Sequence, residues 1–185
     1  MNIEIERKFL IKELPSVFEE TINIKQYYLS NNDNMVQRLR IFNKEKAIIS
    51  FKEKTSKMSK YEFEYNIPLE DAHKMISIAN VPFIDKKRHI IHIDSLKWEI
   101  DEFLDKNKGL IIAEVELKTE NQPINIPNWI GKEVTDEDKD FYRKRILSMS
   151  KNIYSGVHYE NNLNKAYNDF VFLAINYCKL TDKKD

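Results

Sequence analysis

Charge alternates with apolarity through most of the first 118 residues, and the charges are sorted by sign. Glu4, Glu6 and Lys8 share one parity, with Ile3, Ile5 and Phe9 on or near the other. Arg38 and Arg40 oppose Leu39 and Ile41, and Ser50, Lys52 and Lys54 alternate with Ile49 and Phe51. Glu62 and Glu64 alternate with Tyr61, Phe63 and Tyr65. Lys86 and Arg88 share a face, and Glu99 and Asp101 alternate with Trp98 and Ile100. Glu114, Glu116 and Lys118 do the same with Val115 and Leu117. Successive residues of a strand point to opposite sides, so each of these segments has a charged face and an apolar face.

An ordinary antiparallel sheet with one solvated face also alternates. Its polar face, however, usually mixes Ser, Thr, Asn and Gln with charges, whereas here it is nearly all charge. Like charges at neighbouring strand positions repel unless a counter-ion sits between them. Carboxylate pairs call for a divalent cation and Arg/Lys pairs call for a polyanion; a metal-bound polyphosphate answers both. If the strands close into a barrel, alternate residues line its interior, and closure also removes exposed sheet edges. The expected fold is therefore α+β, a closed antiparallel barrel of about eight strands with a charged interior and helices packed outside.

Strands are expected at Met1–Ile11, Lys25–Ser30, Met35–Phe42, Lys46–Lys54, Lys60–Pro68, Lys86–Asp94, Lys97–Phe103 and Leu110–Lys118. Short polar turns join many of them, which suits antiparallel neighbours. Helices are expected at Glu13–Asn23, Glu70–Asn80, Asp136–Ser150 and Leu163–Leu180. The motif-bearing part spans residues 1–150, and residues 151–185 read as a helical extension, either an appended element or part of a homodimer contact.

Composition excludes several classes. The 185 residues carry 30 basic and 30 acidic side chains and no formal net charge, which argues against a nucleic-acid binder. No apolar run approaches the length that spans a bilayer, so no membrane partner is expected. The single cysteine, Cys178, suits a reducing cytoplasm. Three dispersed glycines, Gly109, Gly131 and Gly156, exclude a P-loop and a dinucleotide fingerprint. Any phosphate must be held by side chains. Asp136, Asp138 and Asp140 have calcium-loop spacing, but Phe141 and Leu147 replace the glycine and glutamate such a loop needs.

Eight segments occur in the order found in one known family. Glu4-Ile5-Glu6-Arg7-Lys8 matches its E-x-E-x-K signature. Arg38-Leu39-Arg40, Ser50-Phe51-Lys52, Tyr61-Glu62-Phe63-Glu64-Tyr65 and Lys86-Lys87-Arg88 follow. Trp98-Glu99-Ile100-Asp101-Glu102-Phe103, Ala113-Glu114-Val115-Glu116-Leu117 and Trp129-Ile130-Gly131-Lys132-Glu133-Val134-Thr135 complete the series. Over roughly residues 1–147 the chain resembles the CYTH, or triphosphate tunnel metalloenzyme, family. After Thr135 the run to Lys144 is longer and more acidic than that family's usual pattern. Lys139, Arg143 and Lys144 all remain candidates for its last basic contact.

The resemblance implies an enzyme that hydrolyses a triphosphate with Mg²⁺ or Mn²⁺ as cofactor. It assigns Glu4, Glu6, Glu114 and Glu116 to the metal, with Glu64 and Asp101 as further candidates. Lys8, Arg38, Arg40, Lys52, Lys86 and Arg88 would grip the substrate. Glu4, Glu6, Lys8 and Glu116 would carry the chemistry. Hard oxygen ligands suit these ions, and the arginine fork suits phosphate. Inorganic tripolyphosphate is the leading substrate. An adenylate cyclase, a thiamine or nucleoside triphosphatase, and a polyphosphate-binding module without turnover are the alternatives.

Overall fold

The computed structural model describes residues 3–31, 35–81 and 83–135. The helices expected at Asp136–Ser150 and Leu163–Leu180 and the division at residue 150 lie outside them. The described strands are β1 (Ile3–Ile11), β2 (Glu20–Asn31), β3 (Met35–Phe42), β4 (Lys46–Lys54) and β5 (Ser59–Ile67). After helix α1 (Leu69–Ala79) come β6 (Phe83–Ile93), β7 (Leu96–Phe103), β8 (Ile111–Glu116) and β9 (Ile130–Glu133).

The order is β5-β4-β3-β2-β6-β7-β8-β1, and β1 also pairs with β5, which closes eight antiparallel strands into a barrel. β1 closes it in two steps: Ile3–Ile5 pair with β5, while Glu6–Leu10 pair with β8. β9 joins β1 at Phe9 and Ile11, beyond the point where β5 leaves it, as a ninth strand outside the ring. Gly131 of β9 needs its missing side chain, because a Cβ there would lie 3.1 Å from the Leu10 carbonyl oxygen. Asp94 and Ser95, at φ 51° and 65°, turn β6 into β7. Two positive-φ residues suit the twist of a tight hairpin.

The apolar faces point outward and are covered locally. On one side, Phe9, Trp98, Ile100, Ala113, Val115, Leu117 and Ile130 form a core sheltered by Leu14, Phe18, Ile124 and Trp129. On another, α1 lays Leu69, Ala72 and Ile76 over Tyr27, Leu39, Ile41 and Ala47. The helix carries Glu70 and Asp71 in its first turn, favourable to its dipole, and ends at left-handed Asn80, whose N–H donates to the Ile76 carbonyl.

Two local expectations differ from the structure. The helix expected over Glu13–Asn23 is absent: β2 begins at Glu20, and the residues before it form no regular element. Glu20 to Tyr27 pair residue by residue with β6, and Ile24 is fully buried in that register. The β-branched Thr21, Ile22 and Ile24 favour a strand, and long-range pairing outweighs local helical spacing. The short β9 falls where no regular element was expected.

Candidate active site

The barrel closes with one consistent parity. Across the ladders, Lys8 faces Glu114, Glu114 faces Glu99 and Asp101 faces Arg88. Arg38 faces Ser50, Ser50 faces Glu64, Lys52 faces Glu62 and Lys60 faces Glu4. All these side chains share the interior side. The wall also includes Ile22, Ile24, Gln26 and Tyr28 from β2, opposite inward residues of β3 and β6.

Inside, opposite charges are paired from strand to strand. Arg88 forks onto Asp101, its Nε and Nη2 donating over 2.7 and 2.8 Å, and also reaches Glu99 and Glu114. Lys86 Nζ donates to Asp101 over 2.5 Å. Lys8 contacts Glu114 and lies 2.9 Å from Glu6. Lys52 bridges Glu4 and Glu62 at 2.9 and 2.8 Å, and Lys60 bridges Glu4 and Glu6. Arg40 reaches Glu64, while Arg38 lies 3.3 Å from Glu62 and 3.9 Å from Glu64. Asp101, Glu6 and Lys86 are only 3–4% exposed.

This low-exposure network shifts proton affinities. Burial raises that of Glu6, but Lys8, Lys60 and Lys52 outweigh it and hold its carboxyl well below the usual range. Burial likewise opposes ionisation of Asp101, and Arg88 and Lys86 reverse that effect strongly. Burial lowers Lys86 to about 8 despite Asp101. It lowers Lys52 to about 7, helped by Arg38 and Lys60 and opposed by Glu4 and Glu62. Glu116 moves the other way: partial burial, then the carboxylates of Glu4, Glu99 and Glu62, raise it, with Lys97 opposing.

Lys52 gives a pH prediction. In the unfolded chain it holds its proton into the ordinary ammonium range; in the fold it releases it near 7. Between those values the folded state binds fewer protons, so Lys52 makes stability rise with pH and fall as pH drops towards 7. Melting curves from pH 7 to 9 are expected to show this rise in the wild type and a flatter one in Lys52→Met. Equal slopes would contradict the assignment.

Every residue expected from the sequence at the site lies on this interior. Each expected cation and the carboxylates Glu4, Glu6, Glu64, Asp101 and Glu114 are engaged in ion pairs. Glu116 is exposed and forms no ion pair among the described residues. Among the described residues no three His, Cys, Asp or Glu side chains converge to hold a metal as they stand. Lys60 was missed as a site residue, although its parity with Glu62 and Glu64 was readable. Glu62 and Glu99 were visible in the alternation but carried no assigned role.

Comparison with known proteins agrees with this geometry. The CYTH domain profile matches residues 2–151. The inorganic triphosphatase of Acetivibrio thermocellus is 32% identical over 154 residues, covering 82% of this chain and 98% of that protein. The inorganic triphosphatase of Nitrosomonas europaea is 25% identical over 150 residues, covering 80% and 97%. A solved inorganic triphosphatase structure aligns with a TM-score of 0.54 at 28% identity, covering 80% of this chain and 93% of that one. With the barrel, its sorted interior charges and these matches together, the chain belongs to the CYTH domain family.

Proposed function

We propose that this chain is a metal-dependent triphosphatase that hydrolyses inorganic tripolyphosphate to pyrophosphate and orthophosphate. The observation that carries the reading is the interior itself: Lys8, Arg38, Arg40, Lys52, Lys86 and Arg88 converge from four strands on one closed space. Lys60 joins them from a fifth. A compact polyanion is the ligand that satisfies so many cations at once.

The donor chemistry suits a hard divalent cation. Glu116 sits among Glu4, Glu99 and Glu62, and partial burial together with this crowding raises its proton affinity. A cation placed there relieves the repulsion. Glu4 and Glu116 would hold Mg²⁺ or Mn²⁺, with Glu6 and Glu114 behind them and Glu64 and Asp101 as further acidic partners. When bound, the ion polarises phosphoryl oxygens and lowers the pKa of a coordinated water.

The residues of the chain do the rest. Arg38, Arg40 and Lys52 from β3 and β4 orient the phosphate chain against Lys86, Arg88 and Lys8 from β6 and β1. Water adds to a terminal phosphorus, the bond to the bridging oxygen breaks, and the water proton leaves towards the carboxylates. The cations stabilise the charge that develops on the departing pyrophosphate. The low-exposure interior strengthens these contacts relative to water. The single cysteine and the small-molecule substrate suit a cytoplasmic enzyme.

The test is a phosphate-release screen over tripolyphosphate, ATP, thiamine triphosphate and long-chain polyphosphate, with Mg²⁺ and with Mn²⁺. Tripolyphosphate is expected to give the highest kcat/KM. A preference for ATP with release of pyrophosphate and a cyclic nucleotide would replace this reading with a cyclase.

A further inference from the structure

The interior changes from charged to apolar within one step along several strands. On β6 the next inward residue beyond Lys86 is Ile84; on β7, beyond Asp101, it is Phe103. On β8 Ile112 lies beyond Glu114, and on β2 Tyr28 lies beyond Gln26. Residues two apart on a strand share a face, so these four continue the charged wall. Ile84, Phe103 and Ile112 are 2%, 6% and 8% exposed and form one cluster with Tyr28 and Leu110 packed against it. The Lys86 ammonium lies 5.7 Å from the Phe103 ring centroid, so this cluster abuts the cation set.

In the opposite direction the next inward residues on β6, β7 and β8 are Arg88, Glu99 and Glu116, while β2 continues with Ile24 and Ile22. Exposure grows towards that end: Glu116 is exposed, and the Lys97 and Glu64 side chains are 44% and 38% exposed. Among the described residues, the inward face of β6, β7 and β8 is therefore charged and more exposed towards one end and apolar towards the other, with Tyr28 of β2 on the apolar side.

We propose that the barrel is a blind pocket whose floor is the layer of Tyr28, Ile84, Phe103 and Ile112, and that this floor makes it select the end of a linear phosphate chain. The inference rests on the triphosphatase reading and adds a chain-length determinant to it. A phosphate pushed onto the floor loses its water and meets in return only the Tyr28 hydroxyl, whose oxygen accepts from Gln26. From Arg88 to Lys86 is one inward step, roughly 7 Å along the strand. That depth matches a triphosphate, so further phosphates must project from the mouth. Inner units of a long chain cannot reach the deep cations, because the chain cannot thread through.

The test uses the full chain with tripolyphosphate, tetrapolyphosphate and long-chain polyphosphate. Product lengths are resolved on gels, and binding stoichiometry is measured by calorimetry without metal and with Ca²⁺. Wild type is expected to shorten long chains only from their ends, and bound protein should scale with chain ends, not with chain length. Phe103→Ala should raise the ratio of tetraphosphate to triphosphate kcat/KM by about tenfold, the discrimination typical of small volume changes in an apolar pocket. Phe103→Leu, which keeps most of the volume, should give a smaller rise while remaining folded by thermal melt. Intermediate-length fragments from wild type, protein bound in proportion to chain length, or an unchanged ratio in the folded variants would overturn the floor. Absence of any release from tripolyphosphate would instead overturn the triphosphatase reading, and the stoichiometry would still decide whether the pocket is blind.

Discussion

Arg88→Ala is expected to lose at least about a hundredfold in kcat/KM on tripolyphosphate, the scale for removing one preorganised charge-stabilising donor, and to destabilise the fold by roughly 3–5 kcal/mol. Arg88 holds Asp101 through two parallel hydrogen bonds and also contacts Glu99 and Glu114. Asp101 is 3% exposed, so it cannot turn to water when the guanidinium is gone. Lys86 remains beside it, but its ammonium is a single point of charge that burial already pushes towards neutrality. Removing Arg88 therefore strands buried negative charge, and that, more than the lost attraction, is the source of the instability. The same stranded charge repels an incoming polyanion. Arg88→Lys keeps the charge and loses the fork, so it should show smaller losses on both counts. Urea titrations and steady-state kinetics on both variants check this. An Arg88→Ala protein with wild-type stability would mean that Asp101 is not dependent on this pair.

Much of this arrangement was legible because a strand encodes its two faces with a period of two. The alternation at Arg38/Arg40, Lys86/Arg88 and Glu114/Glu116 specified which residues face the interior, and closure followed from the need to neutralise them. The bounds of β3 and β4 could be read directly, since Asn43 and Lys44 mark the turn between them with φ of 49° and 64°. What could not be read was partner choice. β2 pairs with β6, more than fifty positions away in sequence, and no local pattern in Glu20–Asn23 announces that contact. Nor did parity separate the charged depth of the barrel from its apolar end. Ile84 and Ile112 look in sequence like ordinary core residues, and only the register places them beyond Lys86 and Glu114 on the same face. Lys60 stands at the start of β5, one residue after Ser59, where a polar side chain is usually a turn flank and parity alone carries little signal.

Removal of divalent metal is expected to abolish hydrolysis and also to weaken tripolyphosphate binding by at least about tenfold, a coupling within the range usual between linked ligands. The ion-pair network is the reason. Each cation assigned to phosphate already has a carboxylate partner: Lys52 has Glu4 and Glu62, Lys8 has Glu6 and Glu114, and Arg40 has Glu64. A polyanion entering alone must draw these cations away and leave carboxylates unpaired in a poorly hydrated space. A divalent cation entering alone does the converse and leaves ammonium groups unpaired. Together the two satisfy both halves of the network, so each raises the affinity for the other by the same factor. Calorimetry with a non-hydrolysable triphosphate analogue, with and without Mg²⁺, measures the coupling, and Mg²⁺ titrations with and without analogue must return the same value. Glu116→Gln should reduce it, since that residue lies among the carboxylates and forms no ion pair among the described residues. Analogue affinity that is unchanged in EDTA would show that the phosphate cations are available without the metal, and the exchange of partners would have to be abandoned.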